Sequence, residues 1–168
     1  NPYELLRETF GGSGYDLACA EANSPILFSL NPGKEKVVPV NFSSKLKKNL
    51  FFIYLNKKQN TGKSLKHFKN KNSFSKSIIN DISEISTNLV LAKNIDEFKK
   101  LIDYHENIIS NALKVDSIKK RFKDYDGSLK SLGAWGGDFF LAVGPEDSLE
   151  YFKKKSYKIG YNYNDFII

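Results

Sequence analysis

The sequence contains no methionine, one cysteine and only two arginines among its 168 residues. The single cysteine, Cys19, excludes an internal disulfide framework and is typical of a reducing compartment, so we expect a cytoplasmic protein. No apolar run reaches the length of a membrane span, so we expect no membrane partner. Because the chain begins with Asn1-Pro2 and lacks methionine, we expect it to be a fragment or processed half of a longer product.

Positive charge is in excess, with a formal net charge of +7, and most of the excess lies in residues 45–76. Lysine is mixed there with asparagine, serine and phenylalanine. Such a segment is either a solvated surface or a region that attracts phosphates, nucleic acid or an acidic partner. The two arginines, Arg7 and Arg121, form no cluster, and no nucleic-acid-binding motif accompanies the lysines. We therefore expect no nucleic-acid partner.

The hydrophobic pattern predicts a chain of mixed helices and strands. Residues 26–30 and 37–42 read as a hairpin, and the continuous apolar run 50–55 predicts a strand buried on both faces. Two long amphipathic helices follow, the first at 74–92 and the second at 94–113, which Asn94 is expected to cap. The remaining segments are predicted to be strands at 129–134, 139–143 and 157–161, a helix at 146–154 that Pro145 opens, and an apolar tail at 162–168 that adds another strand. The order predicts an α+β fold with a ferredoxin-like split β-α-β domain.

Residues 11–22 (Gly-Gly-Ser-Gly-Tyr-Asp-Leu-Ala-Cys-Ala-Glu-Ala) are a glycine turn followed by a helix of small residues. Asp16 stands where this helix begins, and a carboxylate there is held in its ionised form by the helix dipole. One interpretation is a helix start capped by Ser13 or Asp16. The other is a reaction centre that uses Asp16.

A second glycine cluster occupies residues 133–138, more than a hundred residues later, and also contains an aspartate. If the two clusters converge in space they predict a phosphate-handling cleft, since glycine lets backbone amides approach an anion. The segment Thr61-Gly62-Lys63-Ser64 follows a strand but is not a P-loop, because Lys57 stands where that motif requires glycine.

Residues 12–18 (Gly-Ser-Gly-Tyr-Asp-Leu-Ala) resemble the catalytic-aspartate segment of the GHMP kinases, which include galactokinase, homoserine kinase, mevalonate kinase and phosphomevalonate kinase. The match is closer to the bacterial subgroup named for its Gly-Tyr-Asp-Ile-Ala motif. Residues 130–138 (Lys-Ser-Leu-Gly-Ala-Trp-Gly-Gly-Asp) resemble the third motif of the family, a glycine-rich loop in a hairpin. The strand before Thr61 is similar to the segment in which these kinases place a Ser or Thr ahead of a helix.

The resemblance implies an ATP-dependent phosphotransferase that acts on a small hydroxyl- or phosphate-bearing acceptor, with mevalonate or phosphomevalonate of isoprenoid biosynthesis as the first substrate hypothesis. Asp16 matches the family aspartate that faces the acceptor oxygen. The other implied substrate- and phosphate-side residues are Gly12, Ser13, Gly14, Thr61, Gly133, Ala134, Trp135, Gly136, Gly137 and Asp138. Trp135 and Asp138 depart from the small residues usual in the third motif and mark a subgroup-specific acceptor pocket.

The first two motifs of the family, including the ATP-phosphate loop, precede the aspartate segment and are not in this sequence. The resemblance therefore implies that residues 1–45 are the end of the kinase N-terminal domain and residues 46–168 are the C-terminal domain. ATP and Mg²⁺ are expected as cofactors, with ligands mainly from an N-terminal half that is a partner of this chain, and we expect no metal ligand within it.

His105 and Glu106 lie close to the apolar face of the second long helix. They are either packed, hydrogen-bonded residues or acceptor-side residues of the site. For the chain as a whole, the alternative to a kinase is a non-catalytic binding or regulatory domain that keeps the C-terminal kinase fold.

Overall fold

The computed structural model describes residues 2–9, 12–31, 34–41, 43–56, 74–133 and 138–167. The chain divides into two compact units, Asn1–Phe42 and Ser43–Ile168. The domain boundary expected from the sequence, between residues 45 and 46, stays a prediction. Among the described residues, no helix combines the length and the apolar character that crossing a membrane requires.

The first unit consists of two helices and a hairpin. Its elements are α1 (Pro2–Thr9), α2 (Tyr15–Glu21), β1 (Ile26–Asn31) and β2 (Lys34–Pro39). The two strands pair antiparallel from Ile26 opposite Pro39 to Asn31 opposite Lys34, which confirms the predicted hairpin. The second strand starts three residues earlier than predicted. It ends at Pro39, which has no N–H to donate to a further strand bond.

The second unit is built on a four-stranded antiparallel sheet of order β4-β5-β3-β6. Its elements are α3 (Ser44–Lys47), β3 (Leu50–Tyr54), α4 (Lys76–Leu91), α5 (Ile95–Leu113), a 3₁₀ helix (Ile118–Arg121), β4 (Ser128–Ser131), β5 (Phe139–Val143), α6 (Ser148–Lys154), β6 (Gly160–Asn162) and α7 (Tyr163–Phe166). Helices connect β3 to β4 and β5 to β6, and β4 and β5 form a hairpin. This is the split β-α-β arrangement that the element order predicts.

The core of this unit lies on one face of the sheet. Alternate residues of β3 and the strand end, Phe51, Ile53 and Leu55, are buried there against Phe140 of β5 and Phe152 of α6. The core also contains Ala142 of β5 and extends to residues outside these elements, which are Ile118, Phe122, Tyr125 and Leu129.

On the opposite face of β3, Leu50 is buried but Phe52 and Tyr54 are only half-buried, so the prediction of burial on both faces is wrong at these two residues. Phe52 stacks on Phe166 of α7, with ring centroids 4.4 Å apart, and Tyr54 packs against Phe139 at 5.1 Å. The short helix α7 therefore covers part of this face of β3 but does not bury it completely.

The helix α5 begins directly after its predicted cap, Asn94, whereas α4 begins at Lys76, two residues later than predicted, because Ser75 caps it. The side chain of Asn94 accepts a hydrogen bond from the Glu97 backbone N–H at 2.9 Å, and Ser75 accepts one from Ile78 at 3.2 Å. The buried residues of α5 are Phe98, Ile102, Glu106 and Ser110, four residues apart, and this stripe packs on β4.

Two local predictions near the C-terminus are wrong. The tail predicted as a strand contains the helix α7, whose Tyr163 and Phe166 pack on Phe52. Pro145 was expected in the first turn of α6, yet that helix begins at Ser148. The Pro145 carbonyl instead accepts hydrogen bonds from the Ser148 N–H and hydroxyl.

We predict that Gly127→Ala destabilises the second unit by about 2–3 kcal/mol, because the added Cβ overlaps the Val143 carbonyl oxygen and lies 2.6 Å from the Tyr125 ring. Gly133→Ala is the control, since Gly133 has a φ of +61° but no neighbouring atom within 4 Å of a new Cβ. It is expected to cost about 1 kcal/mol for the backbone conformation alone. Urea denaturation measures both, and equal losses would contradict the crowding at Gly127.

Candidate active-site segments

The turn before α2 is built by glycines that adopt left-handed backbone angles. Gly14 is the N-cap residue with φ +84° and ψ +3°, and Gly12 has φ +114°. A Cβ at Gly14 would lie 2.6 Å from the ring of Tyr3, so the turn also needs glycine for space. Gly12, Ser13 and Gly14 therefore form one turn that leads directly into the helix of Asp16.

Neither Ser13 nor Asp16 is the N-cap of α2, so the interpretation of a helix start capped by one of these side chains is wrong. The cap is Gly14, which makes no side-chain cap bond, while the Ser13 hydroxyl accepts from the Tyr15 backbone N–H at 3.2 Å. Asp16 is exposed in the first helical turn. Its carboxylate lies next to the positive end of the helix and is accessible to a ligand.

Tyr15 anchors this turn to the hairpin. Its ring packs edge-on against Phe28 of β1, with centroids 5.7 Å apart. A hydrogen bond with the exposed Cys19 thiol, together with burial, raises the pKa of Tyr15 to about 12. The residue beside Asp16 is therefore a neutral phenol at physiological pH.

The second glycine segment lies between β4 and β5, as the resemblance implies. The Gly133 φ of +61° begins the turn, and the Leu55 backbone N–H donates to the Asp138 carbonyl oxygen at 2.7 Å. Asp138 and Gly133 are both exposed. The site predictions at Thr61, Ala134, Trp135, Gly136 and Gly137 lie outside the described residues.

Glu106 is 2% exposed, and its carboxylate accepts three hydrogen bonds. The Ile118 backbone N–H donates to Oε1 at 3.1 Å, the Ser131 N–H donates to Oε2 at 2.9 Å, and the Ser131 hydroxyl donates to Oε1 at 3.0 Å. The carboxylate thus joins α5 to the 3₁₀ helix and to the end of β4, two residues before Gly133. These bonds are structural, and a further role for Glu106 toward an acceptor stays a prediction.

His105 is half-buried on the same helix, and its buried Nδ1 has no hydrogen-bond partner in the described part of the chain. Burial and the nearby charge of Lys130 lower the pKa of His105 to about 4, so the imidazole is neutral at pH 7. Burial also lowers the pKa of Lys130, which Glu106 partly opposes. The structure therefore brings His105 and Glu106 to the strand that leads into the second glycine segment.

Sequence reasoning missed Ser131 and Ile118 as partners of Glu106. The available signal was the position of Glu106 in the stripe that also contains Phe98 and Ile102, where a charged residue is buried only with hydrogen-bond partners. No group of three His, Cys, Asp or Glu side chains able to hold a metal is present among the described residues.

We predict that Glu106→Gln destabilises the second unit by about 2–3 kcal/mol, because an amide NH₂ would face a donor where an oxygen accepts now. Glu84→Gln is the matched control, since Glu84 is an exposed residue on α4. Chemical denaturation at pH 7 measures both variants. A loss at Glu106 no larger than the loss at Glu84 would show that the three bonds contribute little.

We also predict that His105 makes stability depend on pH. The folded-state pKa of about 4 lies below the unfolded value of 6.5, so the unfolded chain binds the proton first as the pH falls. Between pH 6.5 and 4 the free energy of unfolding should therefore decrease on acidification, by at most about 1.4 kcal/mol per pH unit. The difference in unfolding free energy between the natural protein and His105→Gln across this range isolates the effect. A difference that stays constant with pH would contradict it.

No protein-family model matches the sequence, and no curated protein matches it significantly. Among solved structures, mevalonate kinase of L. major, solved in complex with R-mevalonate, is similar with a TM-score of 0.68 and 15% identity, over 93% of this chain and 54% of the other. The Methanococcus jannaschii mevalonate kinase is similar with a TM-score of 0.59 and 19% identity, over 80% and 45%. Lactococcus lactis galactokinase in complex with galactose has a TM-score of 0.50 and 14% identity, over 82% and 50%.

The chain thus spans about half the length of the solved kinases it resembles. At these identities the likeness establishes the fold alone. The chain has the α+β fold of the GHMP-type kinases, with a second unit like their C-terminal domain.

Proposed function

We propose that this chain is the acceptor-side part of an ATP-dependent small-molecule phosphotransferase of the GHMP type. The observation that carries the proposal is the exposed Asp16 carboxylate, held in the first turn of a helix by a turn that needs glycine at Gly14. Its support is the match of this turn to the family segment together with the shared fold.

In this proposal Asp16 faces the hydroxyl or phosphate oxygen of the acceptor. That oxygen forms a bond to the γ-phosphorus of ATP as the bond to ADP breaks, and Asp16 takes up the acceptor proton or stabilises the oxygen electrostatically. Phosphoryl transfer depends mainly on positioning and charge neutralisation, so one fixed carboxylate is a sufficient contribution from this segment.

The second glycine segment is proposed to shape the site near the phosphates and the acceptor. Glu106 supports this role, because it fixes the N–H and hydroxyl of Ser131 at the strand end that precedes Gly133. Ser131 and Gly133 then start the segment from a defined position, and the Leu55–Asp138 backbone bond defines its other end.

The acceptor is proposed to be mevalonate or phosphomevalonate, and the subgroup that of the Gly-Tyr-Asp-Ile-Ala motif. The mevalonate kinases among the similar structures support the first point and the residues 14–18 the second. ATP and Mg²⁺ enter through the family resemblance, with an N-terminal half supplying most of their ligands. We assign no Mg²⁺ ligand to the described residues, and a cytoplasmic location remains part of the same proposal.

The test is a kinase assay with ATP, Mg²⁺ and a panel of hydroxyl and phosphate acceptors, on the full-length product of the gene encoding this chain. Asp16→Asn should lower kcat by about 10²–10⁴-fold, because it removes the charge and the proton acceptor but keeps the shape. Glu8→Gln, at an exposed acid of α1, is the control and should keep full activity.

Two results would overturn this assignment. Unchanged turnover in Asp16→Asn would remove the aspartate from the reaction. Absence of phosphoryl transfer to every acceptor in the panel would favour the alternative of a non-catalytic binding or regulatory domain with the kinase fold.

A further inference from the structure

A cavity of about 410 Å³ lies in the second unit among α5, the 3₁₀ helix and β4. Its volume is within the range that accommodates small metabolites. Most of the lining residues are polar, and three of them are lysines. The full lining consists of Asp103, Glu106, Asn107, Ser117, Lys119, Lys120, Lys123 and Leu129.

The acidic residues of this cavity are already engaged by protein donors. Glu106 uses both of its oxygens for Ile118 and Ser131, and Oδ2 of Asp103 accepts from the Ser128 hydroxyl at 2.8 Å. Their capacity to accept further hydrogen bonds from a ligand is therefore reduced.

The hydrogen-bond donors that line the cavity, in contrast, keep part of their capacity unused. Lys119 Nζ donates to the carbonyl oxygens of Tyr125 at 2.6 Å and Gly127 at 2.7 Å, which fixes its charge and leaves one of its three N–H groups. Among the described residues, the Ser117 hydroxyl and the Lys123 ammonium group have no hydrogen-bond partner. Lys120 has only an exposed ion pair with Asp116, a kind of contact that contributes little and is readily exchanged.

The donor capacity that remains in this lining is thus mainly that of three positively charged residues, Lys119, Lys120 and Lys123. A ligand that satisfies it must present several acceptor oxygens and negative charge, as a phosphate group does.

We propose that this cavity binds a small phosphomonoester, with Ser117 and Lys123 as direct donors and Lys119 as a fixed positive charge. The proposal does not depend on the phosphotransferase assignment, because it rests on residues of the 3₁₀ helix and of the positions directly before and after it.

The test is an NMR titration of the ¹⁵N-labelled full-length protein with glycerol 3-phosphate, at constant ionic strength. We expect chemical-shift changes at the amides of residues 117–123. The double variant Ser117→Ala, Lys123→Gln should weaken binding by about 10-fold or more, since it removes a charge-assisted donor and a hydroxyl. Lys158→Gln, at an exposed lysine outside this lining, is the control and should change the affinity by less than about two-fold.

Several results would overturn the proposal. They are shift changes confined to other parts of the chain, equal affinity in the double variant and the natural protein, and equal binding of uncharged glycerol. If the double variant fails to fold, Ser117→Ala alone serves, because it removes only a hydroxyl. Its affinity should then fall by about five-fold.

Discussion

The buried carboxylate of Glu106 is the contact on which much of the second unit depends. It accepts hydrogen bonds from Ile118 and from both donors of Ser131, so a single side chain of α5 holds the 3₁₀ helix and the end of β4. A buried carboxylate is costly without such partners, and the three donors would be costly without an acceptor. The relative positions of α5, the 3₁₀ helix and the end of β4 are therefore fixed by hydrogen bonds in which the carboxylate and all three donors have partners.

The hydrogen bonds of Glu106 also position the neighbouring segments. On the side of β5, the Glu106 carboxylate defines where Gly133 begins the second glycine segment. Toward the 3₁₀ helix it forms one wall of the lysine-lined cavity, and Lys119 closes the next turn by binding two carbonyl oxygens. In the first unit, Gly14 has left-handed backbone angles and lies close to the ring of Tyr3, and this turn places Asp16 at a helix start. The Glu106 hydrogen bonds and the Gly14 turn both fix the position of the backbone. Such positioning is what phosphoryl transfer mainly depends on.

Much of the fold was predictable because its signals are local. Alternating or continuous apolar runs predicted the hairpin and β3, and Asn94 predicted the start of α5 through its capping bond. Two of the wrong predictions have different causes, one a contact between distant residues and the other a local hydrogen bond. The tail forms α7 because its aromatic side chains pack on Phe52 and Phe139, residues that are remote in sequence. Pro145 lies ahead of α6 because its carbonyl is used by Ser148.

The sequence alone determined the order of the elements, the antiparallel split β-α-β pattern and the position of Asp16 at a helix start, since periodicity, capping residues and glycine act within a few residues. Only the tertiary structure decided the pairing of Glu106 with Ser131 and Ile118, the neutral state of His105 beside Lys130 and the gathering of lysines around one cavity. These properties depend on burial and on distances between residues far apart in the chain. No local pattern specifies them, because desolvation and hydrogen bonding act only once the chain has packed.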